Sequence, residues 1–452
     1  MPLPLRANLQ RAQRPLTQYG KIQPMIGKNF PVRGPLRFLL ILGGLAVAAI
    51  LIYQIPAVND RLSWRLIIAE AYARGVIDPV KALPTPRMVQ DSAIDTPSPR
   101  TGDAAPADTQ TLLTPTATLA TPASTPTPTP TPTPIGPKAV VPPPPFEKQD
   151  INDCGPATLS MYLNFYGWKG SQADIAAEIK PLREDRNVNV EELAFYARTH
   201  AGWLQTEYRV GGDIQRIKQF IAAGIPVMIE EAFIMQESYW PNDDRWAGHY
   251  LYINGYDDAI QAFTTQDVFV GPDHMVAYQD LEKNWQTFNH VYILLFRPEQ
   301  AETVKAILGD DWDPDHNRQN ALENAKKATV ENSKNPFAWF NVGSNLVYFE
   351  RYDDAARAYD QARLLGLPQR MLRYQFGPFI SYFHSLRTDD LMTLTEYALK
   401  ITPNSEEGML WRGWGLYRLG KKQDAIDLFK KATEARPGYP DAKYALDYVQ
   451  KN

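Results

Sequence analysis

The apolar and polar positions of this chain fall into stretches with different rhythms, and each rhythm predicts a different element. Residues 38–55, FLLILGGLAVAAILIYQI, run without a charge, at about the length a helix needs to cross a bilayer core. Asn59–Pro79 then repeats apolar residues at helical spacing, with Leu62, Leu66, Ile67 and Tyr72 near one face. Between residues 84 and 145 this rhythm gives way to Thr-Pro alternation and a PPPP run. Proline lacks the N–H donor and fixes φ, so an extended spacer is predicted here rather than helix or ladder. From 146 to 298 both periods occur. SQADIAAEI, NVEELAFYARTHAG and DIQRIKQFIAAG read as helices, the second with Asn189 and Glu192 at capping-box spacing. IPVMIEEAF, GHYLYINGYDD, AIQAFTTQDVF and HVYILLF read as strands of an antiparallel sheet. From about 301 the pattern is helical to the end.

Charge alters the reading of the first run. Arg6, Arg11, Arg14, Lys21, Lys28, Arg33 and Arg37 precede it, and no acidic residue does. The positive-inside bias then makes 1–37 a cytoplasmic tail, 38–55 a retained transmembrane anchor, and everything beyond it extracellular. A cleaved signal peptide is the rival, with an overlong charged region and no clear cleavage site. A buried core helix is the other alternative. The expected order continues with a juxtamembrane helix over 56–83 and a disordered spacer over 84–145. That spacer reaches roughly 190 Å if fully extended. The net charge of −4 gives no reason to expect nucleic acid.

Candidate chemistry centres on the only cysteine of the 452 residues, Cys154, in QDINDCGPATLSMYLNFYG. Pro156 suits the first turn of a helix and Gly167 its end, so Cys154 stands at a helix N-terminus, where the macrodipole favours a thiolate. A buried structural cysteine is the alternative for any lone thiol. Gln149, five residues upstream, can share an anion pocket with the Cys154 N–H. Downstream, a hairpin turn centred near Asp258 would set His249 opposite Asp267 on one face, the arrangement in which a carboxylate orients an imidazole toward a thiol. A register slip of one residue would present Gln266 instead. Tyr239, Trp240 and Trp246, in the polar and aromatic segment before His249, either contact substrate or pack their own loop. The other histidines show no metal-ligand spacing, and neither a metal nor another cofactor is expected.

QDINDCGPATLSMYL resembles the Gln…Cys-Gly-x-Ala box of papain-like peptidases of the bacteriocin double-glycine leader peptidase type, family thirty-nine. GHYLYINGYDD resembles their His strand, and TTQDVF their Asp strand, although Val268 stands where proline is common in that family. The resemblance covers about 146–298. It implies an α/β papain-like fold with Cys154 as nucleophile, His249 as general base and acid, Asp267 as the orienting carboxylate and Gln149 as oxyanion-hole donor.

Small residues recur at Ala328, Ala362, Ala398 and Ala432, a period of about 34–36 residues. Trp339, Gly343, Ala355, Tyr359 and Ala362, and again Gly413, Ala425, Phe429, Ala432 and Pro437, resemble tetratricopeptide repeats, implying an all-α domain over 301–452. Such arrays recruit a peptide or protein, the alternative here being a brace for the peptidase domain. The expected whole is a multidomain, membrane-anchored cysteine peptidase acting on a peptide or protein substrate, with acyl transfer as a variant of the same chemistry. An inactive papain-like binding scaffold is the reading from another class.

Overall fold

A computed structural model describes residues 33–87, 135–180, 182 and 188–452. The basic tail up to residue 32 and the Pro/Thr-rich stretch from 88 to 134 lie outside the described residues. The chain divides into two compact units, residues 1–66 and 67–452.

In the first unit, helix α1 (Arg33–Tyr53) carries the apolar run. It stops before Pro56, which disfavours helical backbone at Ile55 and itself opens helix α2 (Pro56–Ile77). The span expected over 38–55 is thus shorter at its C-terminal end. Among the described residues no helix is long and apolar enough to cross a membrane.

The second unit begins at Ile67 within α2. After α2, residues 78–87 do not enter a free spacer. Asp78 pairs with Lys400 at 2.6 Å, the Lys81 carbonyl accepts from the Tyr397 hydroxyl at 2.9 Å, and the Pro84 carbonyl accepts from Arg363 at 2.7 Å. Leu83 and Pro86 are buried. The chain returns at Ile135 into strand β1 (Lys138–Val140), which pairs with β4. The spacer expected over 84–145 is therefore docked at both ends in the same unit, because the prolines that flank it still offer carbonyls and apolar rings.

Helix α3 (Cys154–Phe165) is followed by α4 (Gln172–Ile179) and α5 (Val190–His200). Both α4 and α5 open on capping boxes, Ser171 with Asp174 and Asn189 with Glu192. Next come β2 (Gln205–Arg209), α6 (Ile214–Ala222), β3 (Val227–Ile234), β4 (Trp246–Asp257), β5 (Ala262–Asp267) and β6 (Gly271–Ala277). Helix α7 (Tyr278–Trp285) and β7 (Tyr292–Phe296) complete a sheet ordered β2-β7-β3-β4-β5-β6, with β1 also on β4. These strand pairings are antiparallel. One side of the sheet buries Ile229, Leu251, Ile253 and Leu294 with Phe220 of α6 and Trp285 of α7. On the other side Tyr162 of α3 meets Tyr252 edge-on at 5.3 Å and accepts the Leu295 N–H at 3.0 Å, fixing α3 to the strands.

Helix α8 (Ala301–Leu308) corrects the boundary expected at 301. Its Ala301, Val304 and Leu308 belong to the sheet's own core. The helical array starts with α9 (Pro314–Glu331) and pairs α10 (Pro336–Tyr348) with α11 (Tyr352–Leu365). A short α12 (Met371–Tyr374) precedes α13 (Gly377–His384) and α14 (Thr388–Ile401), then α15 (Glu406–Arg418), α16 (Lys422–Ala435) and α17 (Pro440–Lys451). The recurring glycine has a packing reason. A Cβ on Gly343 would lie 2.7 Å from the Tyr359 ring, and one on Gly413 would strike the Phe429 ring.

The array packs directly on the sheet domain. Asn317 bonds both backbone groups of Val210, at 3.0 and 2.8 Å, and Asn345 takes the Asn289 amide at 2.8 Å. Asn341 donates to the Gln286 carbonyl and Gln375 to the Thr287 carbonyl, each at 2.8 Å. The face of α10 that bears Asn341 and Asn345 is therefore occupied from within the chain.

Candidate active site

Cys154 is the first residue of α3, half-buried, while the following turns are wholly buried. Asp153 before it pairs with the buried Lys180 at 2.5 Å. Thr158, one turn on, donates to the Tyr250 carbonyl at 3.3 Å, tying the start of the helix to β4. A residue without a side chain suits the position next to the thiol, because a Cβ on Gly155 would already press on the Tyr250 ring at 3.3 Å.

His249 lies in β4, 4% exposed, and its Nε2 is 2.9 Å from Oδ1 of Asp267 at the end of β5. The register differs from the expected one. Tyr252 pairs with Gln266 and Ile253 with Thr265, and a bulge follows at Gly255. The turn centres later than Asp258, so Asp267 is displaced by two residues from the position opposite His249. A shift of two preserves the face, and the carboxylate reaches the imidazole diagonally. Gln266 does point to the other face, yet it is buried there, bonding Asn254 at 3.1 Å and Asp273 at 2.9 Å.

Pairing between β4 and β5 stops at Tyr252, so the half of β4 that carries His249 has β3 alone as its ladder partner. The segment leading to α3 comes alongside, Gln149 donating its N–H to the Val268 carbonyl at 2.9 Å. The Cys154 thiol acts on the same imidazole, favouring its charged form. With Nε2 committed to the carboxylate, Nδ1 is the nitrogen left for the thiol. His249 is thus bonded to Asp267, with Cys154 among the groups that act on its ring. The Gln149 side chain is beside it but engaged elsewhere: Nε2 donates to the Asp150 carbonyl over 3.4 Å, and Oε1 is buried without a partner.

Charge in this group is strongly polarised. Burial pushes the His249 ring toward its neutral form, but the bond to Asp267 and the action of Cys154 outweigh it and raise the pKa to about 10. Burial likewise opposes the Asp267 charge, and the bond with His249 and the N–H groups of Phe269 and Val270 hold its pKa below the usual range. Those N–H groups reach Oδ1 at 2.8 and 3.0 Å, so one oxygen both orients the ring and closes the turn after β5.

Two carboxylates missed from sequence flank this arrangement. Glu231 is the register partner of His249 across β3–β4, and Glu230 is that of Tyr250. Burial raises the Glu231 pKa to about 8, moderated by His249, and its Oε2 has no hydrogen-bond partner. Burial, then the negative field of Cys154, pushes Glu230 well up. Their one signal was adjacent carboxylates inside an otherwise apolar strand pattern.

Tyr239, Trp240 and Trp246 are buried, and the cavity that Trp240 lines is one with Gly75 and Lys400, not with Cys154. Arg370, 1% exposed, lies 4.1 Å over Trp240 and 5.2 Å over Tyr239 and bonds both Asp243 oxygens at 2.7 Å. Trp246 stacks on Phe288 at 5.7 Å. The loop before the His249 strand is thereby clamped by the helical array.

Residues 141–293 match the Peptidase_C39 like family. No curated protein matches the chain. Among solved structures, a C39-like peptidase from Bacillus anthracis aligns at 16% identity over 35% of this chain and 98% of its own, with a TM-score of 0.28. YrrB, described as a TPR protein with an unusual peptide-binding site, aligns at 21% identity over 30% and 68%, with a TM-score of 0.27. A double glycine motif protease from an AMS/PCAT transporter, solved with its leader peptide, aligns at 14% identity over 35% and 94%, with a TM-score of 0.27.

Proposed function

We propose that this chain is an active papain-like cysteine peptidase, with Cys154 as nucleophile, His249 as general base and acid, and Asp267 as the orienting carboxylate. The observation that carries the reading is the buried His249 imidazole bonded to Asp267 and favoured in its charged form by Cys154, with the thiol at the first residue of a helix. The helix dipole and the imidazolium both favour a thiolate at that point. Attack on a peptide carbonyl gives a tetrahedral oxyanion, for which the Cys154 N–H and the Gln149 amide are the candidate donors. The long bond from Gln149 to Asp150 is weak enough to be exchanged for that charge. The imidazolium then protonates the leaving amine, and water hydrolyses the thioester.

Membrane anchoring through 38–55 and an outward-facing catalytic unit belong to the same proposal. They are supported by the basic flank and by the exposure of Phe38, Leu40, Leu45 and Ile50 around α1. Recruitment of a peptide or protein by the repeats is confined in this reading to surfaces other than the Asn341–Asn345 face.

The test is alkylation of Cys154 with iodoacetamide at pH 6 together with hydrolysis of a peptide mixture. Labelling faster than a free thiol and hydrolysis lost in Cys154→Ala are expected. Asp267→Asn should keep the fold, since its remaining oxygen still closes the turn, and lower kcat at least about tenfold. A free-thiol labelling rate with no hydrolysis would establish the scaffold reading instead.

A further inference from the structure

An apolar floor begins at the edge of the His249 imidazole. Ala247 precedes His249 by two residues on β4, so their side chains share a face of the strand. Phe233 stands directly opposite Ala247 on β3. The Phe233 ring is 5.1 Å from the imidazole and 5.2 Å from the ring of Phe269. Phe269 comes from the turn after β5, where its N–H is held by Asp267. A ring from β3 and a ring from the turn after β5 therefore approach each other beside a residue with only a methyl group, which leaves a notch. The floor is open: Phe269 is 45% and Val270 51% exposed, and Phe233 and Ala247 are half-buried. The aromatics of the preceding loop, by contrast, are buried against Arg370.

The reaction chemistry says which part of a substrate meets this floor. The thiolate forms a C–S bond to the acyl carbon as the C–N bond breaks, and the imidazolium proton passes to the departing nitrogen. Water later hydrolyses the thioester, releasing the acid and restoring the thiol. The departing nitrogen must lie on the imidazole's side of the thiol, so the side chain just after the scissile bond extends past His249. Resting on the peptidase reading above, we propose that Phe233, Ala247 and Phe269 form the subsite for the residue following the cut, and that it selects an apolar side chain of leucine or phenylalanine size. Glu231 holds its proton and the Asp267 charge is matched by His249, so it is the apolar surface of the floor that disfavours an acidic residue there.

The full chain is given a mixture of random decapeptides, and the cut sites are read by mass spectrometry. The best sequence is then resynthesised with Leu, Phe, Gly or Asp after the cut. Leu and Phe should exceed Gly about tenfold in kcat/KM, and Asp should fall below Gly. Phe269→Ala, an exposed position, and Ala247→Leu, which fills the notch, should each bring the Leu-to-Gly ratio to about one. Alkylation of Cys154 at the wild-type rate would show that the site itself is intact in both variants. Cleavage without bias at this position, or a ratio unmoved in both variants, overturns the subsite alone. Failure of the wild type to cut any peptide overturns the peptidase reading, and the subsite falls with it.

Discussion

Glu231 shows how one side chain can report on the site around it. In the folded chain it is buried opposite His249 on the neighbouring strand, with one carboxyl oxygen unpartnered. Its pKa rises from 4.5 to about 8 through burial. Between those values the unfolded chain carries the charge and the folded chain holds the proton, so stability falls as pH rises through that window and levels off near pH 8. Glu231→Gln removes this loss, which is on the order of a few kcal/mol. The melting temperature of the variant should gain on that of the parent between pH 5 and pH 8. A difference constant across that range would mean that the carboxyl ionises freely in the fold. Only the apolar residues on either side of Glu230 and Glu231 distinguish them in sequence from solvated carboxylates at a strand edge. Cys154, His249 and Asp267 were legible because each combines a reactive group with a recognisable element boundary or hairpin. Gln149 was legible as a neighbour, but the direction of its amide was not.

At the scale of elements, period and capping account for most of what sequence revealed. Helices α3 to α6 and strands β5 and β7 fall within the predicted stretches, and β3 and β4 overlap theirs but overrun one end by one and two residues, because each repeats its apolar residues at one period. Strands β1, β2 and β6 and helix α7 were not foreseen. Three of them bury few apolar residues of their own and are held by the ladder, which sequence periodicity does not register. The β4–β5 register was misplaced by two residues because bulges are set by tertiary fit, while the face survived because its period is two. The helical repeats were legible through their small residues, and these permit a sharp expectation. Gly343→Ala places a methyl against the Tyr359 ring, and Gly413→Ala one against Phe429. Each should destabilise the array by about 1–3 kcal/mol through overpacking, although alanine is the better helix former by about 1 kcal/mol. Thermal melts of the two variants check this, and any rise in melting temperature would show that the paired helices can separate at no cost.

For the whole molecule, sequence gave the order of parts but not how they close on one another. A stretch rich in proline reads as a tether because its composition cannot build regular structure. Yet tethering depends on where its two ends attach, and only the fold decides that. Here Asp78, Lys81, Pro84 and Arg87 bond to Lys400, Tyr397, Arg363 and Asp389 of the helical array, and Lys138–Val140 pairs with β4. The surface pairs among these contribute little, about 0–1 kcal/mol each. The bonds from Arg363, itself buried, and the burial of Leu83 contribute more. The same unit also packs Gly75 of α2 so closely on Trp240 that a Cβ there would sit 2.6 Å from the Trp240 Cβ. Trp240 in turn carries Arg370, which holds the loop before His249. A specific protease site inserted between residues 88 and 134 should therefore give two pieces on a denaturing gel that still migrate as one species in size-exclusion chromatography. Gly75→Leu should loosen that association, because its side chain cannot fit against Trp240, and should release the N-terminal piece after cutting. Spontaneous separation of the cut parent chain would mean that residues 67–87 contribute no lasting hold. The long stretch would then act as a tether after all, with the catalytic unit free at its far end.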